Sequence, residues 1–239
     1  MDPSTAGARA AASSCSNPGA HVLDLLRNGP VGDRTVLYLR HSIRNSFAGV
    51  PVEQQLAAEI TPEGVLRARE FGASLRQLLP GRRLVLGHTL ARRCRMTAEC
   101  IGAGYAPGGE FRMIDYHGDI DDLFLDVDAF LAIREEHGWE GMIERWLARQ
   151  IPPTVMRDPR IYADRHLDRL LSTDGVDDGD LFIVIGHDIT VFPLVSRLFD
   201  RTITTVDFLN GIVIDADGTT AGARFSDGER ALATTLTIA

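Results

Sequence analysis

Apolar positions along the chain fall into short unbroken runs separated by longer stretches of helical periodicity. Residues 35–39 (TVLYL), 84–86 (LVL) and 181–185 (LFIVI) are runs of leucine, β-branched and aromatic residues, as expected of strands buried on both faces. Between them the spacing predicts helices. Residues 21–27 carry Val22, Leu25 and Leu26 on one side and close at Asn28-Gly29. Thr61 is an N-cap with Pro62 at the first helical position and Glu63 at the positive end. Leu66, Phe71, Leu75, Leu78 and Leu79 form that helix's apolar side, and Pro80-Gly81 stops it. Further helices are expected over 91–102, over 128–137 and 139–150 with a break near Gly138, over 162–171, and over 189–199. Phe130, Trp139 and Trp146 sit at apolar helical positions and read as helix packing. Residues 204–214 and 221–238 are rich in Thr, Val and Ile, with turns at Asp217-Gly218 and at 226–228; they predict sheet edges or a closing hairpin.

Three strand-to-helix passages followed by terminal strands predict one α/β domain, a three-layer α/β/α sandwich around a mostly parallel sheet. Residues 1–20 read as a flexible tail and 21–239 as the domain. Over 105–125 the pattern dissolves into Gly, Pro and acids, a long connection suited to a lid or substrate wall. The segment 105–173 as a whole reads as a helical cap inserted over the sheet. No internal repeat is visible.

Charge narrows the partners. Thirty-three acids against 25 Lys and Arg leave −8 over 239 residues, which disfavours broad contact with nucleic acid or an anionic membrane. No window approaches the about 18 apolar residues of a membrane span, and the first 20 residues do not read as a secretory signal. Cys15, Cys94 and Cys100 match neither a disulfide framework nor a zinc spacing; a reducing cytoplasm is expected. Oligomeric state stays open.

In layered α/β proteins ligands bind beyond the carboxyl ends of the strands. Here the first strand delivers Arg40, His41 and Arg44, the second leads through His88 to Arg93, and the third delivers His187 and Asp188. A phosphate dianion explains the mixture. Arginine forks match its oxygens, a neutral imidazole can attack phosphorus, and a carboxyl group can protonate the departing alkoxide. A zinc site of His41, His187 and Asp188 is disfavoured by the adjacent arginines, which repel a cation. Two decoys stand apart. The segment IVIDADGT at 212–219 is similar to the Asp-x-Asp-Gly-Thr opening of haloacid-dehalogenase-type phosphatases, but only 20 residues follow Thr219. Asp215, Asp217 and Gly218 read instead as turn residues between strands. The acids Asp115, Asp119, Asp121, Asp122, Asp126 and Asp128 read as a solvated face, with the alternative that some of them line the entrance and favour a polar or partly cationic substrate.

Four segments also resemble the histidine phosphatase superfamily. LYLRHSIR at 37–44 resembles its Arg-His-Gly motif, ITPEGVLRA at 60–68 its Leu-Thr-x-x-Gly-x-x-Gln-Ala helix start, RCRMTAE at 93–99 its Arg-Cys/Thr-x-x-Thr-Ala element, and IGHD at 185–188 its later histidine. They stand in family order over about residues 36–199. The resemblance implies a phosphoglycerate mutase-like fold, no cofactor and no metal. It implies His41 as the nucleophile that becomes phosphohistidine, with Arg40, Arg44, Arg93 and His187 on the phosphoryl oxygens. The His-Asp pair is similar to the acid-phosphatase branch, which makes Asp188 the proton donor. In the mutase-like branch the donor is a mid-chain Glu, for which Glu110 and Asp115 are the substitutes here. Ser42 stands at the usual Gly, His88 near a usual Ser-Ser-Pro, Arg67 at the helix Gln, and Ser46 where a Pro often follows. Ser42 and His88 are therefore further candidates for phosphate contact.

The expectation is metal-independent hydrolysis of a small phosphorylated metabolite through a phosphohistidine. The alternatives are a phosphomutase or phosphotransferase using the same histidine, and a phosphate-binding protein with little turnover.

Overall fold

The computed structural model describes residues 17–116, 123–172 and 174–237; most of the expected tail, with Cys15, and the acids Asp119, Asp121 and Asp122 lie outside them. In chain order the elements are α1 (Ala20–Asn28), β1 (Arg34–Arg40), α2 (Val52–Gln55), α3 (Pro62–Leu78), β2 (Arg83–His88), α4 (Arg92–Tyr105) and β3 (Arg112–Asp115). There follow α5 (Val127–Leu147), α6 (Pro159–Leu171), β4 (Asp180–Gly186), α7 (Asp188–Phe199), β5 (Gly211–Asp217), β6 (Thr220–Ser226) and β7 (Ala231–Thr237).

All seven strands share one sheet of order β3-β2-β4-β1-β5-β6-β7. The half from β3 to β1 is parallel; β5, β6 and β7 extend it antiparallel, a larger antiparallel share than the sequence suggests. Alternation along the strands sorts the core into two layers. Leu37 and Leu39 of β1 join Leu84, Leu86, Ile183 and Ile185 beneath α1, α3 and α4. Val36 and Tyr38 join Val85, Phe182 and Val184 beneath α5, α6 and α7. The fold is a three-layer α/β/α sandwich.

Several local expectations are met in detail. Thr61 accepts the Gly64 N–H at 3.0 Å and caps α3, and Asp158 with Pro159 starts α6. Gly138 breaks α5 with φ 69°, a left-handed value that separates two helical halves. The segment 105–173 differs from the expected cap. Its strand β3 pairs with β2 inside the sheet, and Tyr116, Phe130, Trp146, Tyr162 and Leu167 belong to the same apolar cluster as Val36 and Phe182. It is part of the sandwich, because those side chains need the sheet to be buried. Asp126, read as solvated, is exposed and also caps α5 by accepting the Ala129 N–H at 3.0 Å. Asp215 is not a turn residue: it lies within β5, paired with buried Arg224 and accepting from the Thr35 hydroxyl at 2.8 Å. Gly218, with Thr219, does make the β5–β6 turn, and Asp217 ends β5 opposite Thr220.

Candidate active site

The parallel register decides what meets at the carboxyl rim. Arg40 lies opposite Gly186, so the residues that follow, His41 and His187, leave adjacent strands side by side. The His41 N–H donates to the Gly186 carbonyl at 3.0 Å, and the two rings stand edge to face with centroids 5.6 Å apart. Both are buried, at 2% and 3% exposure. α7 starts directly after His187, whose N–H reaches the Thr190 hydroxyl at 3.0 Å. That hydroxyl donates to the His187 carbonyl at 2.7 Å and accepts from Tyr38 at 2.7 Å. A side chain at Gly186 would collide with Tyr38, so the strand end is pressed against this anchor.

Hydrogen bonding assigns the tautomers. Nδ1 of His41 lies 2.7 Å from the Ser42 carbonyl, which can only accept, so Nδ1 carries the proton and Nε2 the lone pair. On His187, Nδ1 lies 3.1 Å from Arg93 Nη2, which can only donate, so the proton is on Nε2. Burial, the neighbouring His187, and the Arg93 and Arg40 cations push the His41 pKa well below its ordinary 6.5, outweighing the Ser42 carbonyl. Burial, then Arg93, Arg40 and Arg44, do the same to His187. Both rings are neutral at pH 7.

Three arginines wall the cup. Arg40, at the end of β1, donates to the Val206 carbonyl at 2.5 Å, pairs with Asp188 at 3.1 Å and lies 4.2 Å from the centroid of the Phe208 ring. Arg93, in the first turn of α4, donates to the Gln55 carbonyl at 2.7 Å as well as to His187. Arg44 stacks 3.5 Å from the Phe47 ring centroid and donates to the Asn45 carbonyl at 2.7 Å. Burial and the other two cations push the Arg44 pKa down to about 10, and burial lowers Arg93. The Nε of all three guanidiniums is buried with no hydrogen-bond partner among the described residues. Asp188 is the more open member at 25% exposure, with one oxygen on Arg40 and the other accepting the Ile189 N–H at 2.9 Å.

No known family profile matches this chain and no curated protein sequence does. Among solved structures, a phosphoglycerate mutase from Bacillus anthracis str. Sterne superposes with TM-score 0.54 at 14% identity, over 85% of this chain and 92% of that one. An apo phytase from Hafnia alvei superposes with TM-score 0.50 at 12% identity, over 82% and 85%. The fold is phosphoglycerate mutase-like. At such identity the likeness carries the architecture alone.

Within the phosphoglycerate mutase-like fold, six of the candidates named from sequence converge: Arg40, His41, Arg44, Arg93, His187 and Asp188. Ser42 and His88 differ. The Ser42 hydroxyl donates to the Gly64 carbonyl at 2.8 Å and its N–H to Thr97 at 3.1 Å, so its proton is committed to the α3 backbone and not to a phosphate. His88 donates from Nδ1 to the Thr89 carbonyl at 2.9 Å and, among the described residues, bonds to neither histidine nor any of the three arginines. Glu110 is exposed and precedes β3, at the end of the sheet away from His41. Asp115 ends β3 opposite His88. Sequence reading missed Thr89, whose hydroxyl lies 3.1 Å from His187 Nε2, and Phe208, whose ring lies 5.8 Å from that of His41. Thr89 follows the apolar run of β2, a signal that was available. Phe208 lies in an irregular loop with no local mark.

Proposed function

We propose that the protein hydrolyses a small phosphate monoester through a phosphohistidine on His41, without a metal. The observation that carries this reading is the set of three unpartnered buried guanidinium N–H groups on Arg40, Arg44 and Arg93, gathered around an imidazole that presents a lone pair. Buried donors without acceptors are costly; a dianion would satisfy all three, and they would then stabilise the charge that develops on its equatorial oxygens.

In the first step Nε2 of His41 forms the N–P bond as the P–O bond to the leaving group breaks. The proton stays on Nδ1, which donates to the Ser42 carbonyl, and that carbonyl supports the positive charge that the ring acquires. Asp188 gives a proton to the departing oxygen, and the arginines, with Arg93 braced against His187, hold the phosphoryl oxygens. In the second step water attacks phosphorus, its proton passes to the Asp188 carboxylate, and the N–P bond breaks to return neutral His41 and inorganic phosphate.

The test is a panel of phosphomonoesters offered to the purified full chain with chelator present, with His41→Ala alongside. Release of inorganic phosphate and an acid-labile phosphoenzyme are expected from the wild type and neither from the variant. Full turnover by His41→Ala would overturn the mechanism, and transfer to a second hydroxyl in place of phosphate release would make the enzyme a phosphotransferase. Phosphate binding with no phosphoenzyme would leave a binding protein.

A further inference from the structure

The bonds around His187 form a chain in which each group has one direction open to it. Arg93 can only donate, so Nδ1 accepts; the neutral ring then carries its proton on Nε2, and Thr89 Oγ1 accepts it at 3.1 Å. The Thr89 hydroxyl also lies beside the Cys94 thiol. The Cys94 thiol points in turn to the Gly186 carbonyl at 3.5 Å, the same carbonyl that accepts the His41 N–H at 3.0 Å. Cys94 is fully buried and lies 3.6 and 3.9 Å from the two ring nitrogens of His187. Thr89 itself is buried and tied to β4 by its N–H, which donates to the Ile185 carbonyl at 3.2 Å.

We infer that Thr89 is a positioning residue: with Arg93 on the far edge of the ring and Cys94 beneath, it holds His187 as a neutral imidazole with the proton on Nε2. The groups facing His187 are the Arg93, Arg40 and Arg44 cations, the His41 ring and the Cys94 thiol. A second proton would have to enter at Nδ1 against the Arg93 guanidinium. The two histidines are thus locked in opposite tautomers. His41, fixed through main-chain carbonyl 42, offers a lone pair, whereas both nitrogens of His187 are committed, Nδ1 to Arg93 and Nε2 to Thr89. The consequence for turnover rests on the phosphatase reading; the tautomer itself does not.

The test is a long-range proton–nitrogen correlation spectrum of the histidine-labelled full chain between pH 5.5 and 8, for wild type, Thr89→Val, Thr89→Ala and Thr89→Ser. The wild-type His187 ring is expected to show a protonated Nε2 and an unprotonated Nδ1 at every pH. The Val and Ala variants should lose that single form to averaging or to the other tautomer, and Ser should restore it. Where turnover is measurable, Thr89→Val should lower kcat by about tenfold or more, the usual effect of a lost orienting partner, with KM within about twofold. A folded Thr89→Val or Thr89→Ala protein with the wild-type ring signals would overturn the inference, whatever its melting temperature. So would a wild-type His187 that titrates in this range. Absent turnover in the wild type refutes the phosphatase reading alone, since the ring signals are read without substrate.

Discussion

Replacing Arg93 with methionine tests the cup most directly, because the structure sets its effects on function and stability apart. Arg93 is 8% exposed and makes two hydrogen bonds, to the Gln55 carbonyl and to His187 Nδ1, while its Nε has no partner among the described residues. Losing one charged donor that faces a transition state costs about 3 kcal/mol, about a hundredfold in kcat/KM. Here the same substitution also frees His187, so a hundredfold is a lower bound. Stability should move far less. The two lost bonds are worth about 1 kcal/mol each, but a buried cation that helps depress both Arg44 and His41 leaves with them. Methionine keeps the packing of the aliphatic stem. The Arg93→Met protein is therefore expected to melt near the wild-type temperature while losing both p-nitrophenyl phosphate turnover and the rise in melting temperature that inorganic phosphate gives the wild type. Arg93→Lys keeps the charge but not the fork, and should recover little. Wild-type kcat/KM and an undiminished phosphate effect in Arg93→Met would refute the proposed arrangement of donors.

Other substitutions separate roles in the same cup and its support. Asp188→Asn should slow alkyl phosphates far more than aryl phosphates with good leaving groups; an equal loss on both, in a leaving-group series, would make Asp188 a positioning group. Ser42→Ala should lower stability by about 1 kcal/mol through the lost hydroxyl bond to the Gly64 carbonyl, seen in denaturant titration, with kcat/KM little changed; a hundredfold loss would return the hydroxyl to the phosphate. Asp215→Ala strands buried Arg224 and should cost about 3–5 kcal/mol, with turnover per folded molecule intact. His166 lies among the Tyr38, Tyr116 and Tyr162 rings, and burial, with Arg169, pushes its pKa from 6.5 down to about 3. The unfolded chain binds the proton first, so the contribution of His166 is complete above pH 6.5 and is lost as pH falls toward 3. Between pH 7.5 and 5.0 His166→Phe should lose roughly 2 kcal/mol less stability than the wild type; parallel losses would mean that His166 is not buried as a neutral ring.

How far the sequence discloses this molecule depends on whether a feature is local. The Thr61 cap, the fully buried β4 and the Gly138 break are written in adjacent residues and appear where expected. Strand β3 is not, since four residues at the sheet edge, Arg112–Asp115, carry too short an alternation to stand out from an acidic loop. The site divides in the same way. Arg40, His41, His187 and Asp188 are legible because they follow apolar runs that become adjacent strands. His88 and Thr89 follow an apolar run equally well, and nothing local shows that the second, not the first, turns toward His187. That follows from the β2–β4 register and the Thr89 N–H on Ile185.

The tautomer geometry also explains why serine is accommodated at position 42. The contact that prepares His41 is made by the Ser42 carbonyl, which any residue supplies, and the added hydroxyl is absorbed by the Gly64 carbonyl. At His187 the corresponding contacts come from side chains, Arg93 and Thr89. Substitution should therefore be tolerated beside His41, the proposed nucleophile, and felt strongly at the two positions that orient His187. The three arginines add a second asymmetry. Their charges oppose one another in a buried space, and contacts with Gln55, Phe47, Val206 and Asp188 hold them in place. On the proposed reading a bound phosphate would supply the counter-charge and couple substrate binding to the stability of the sheet's carboxyl rim.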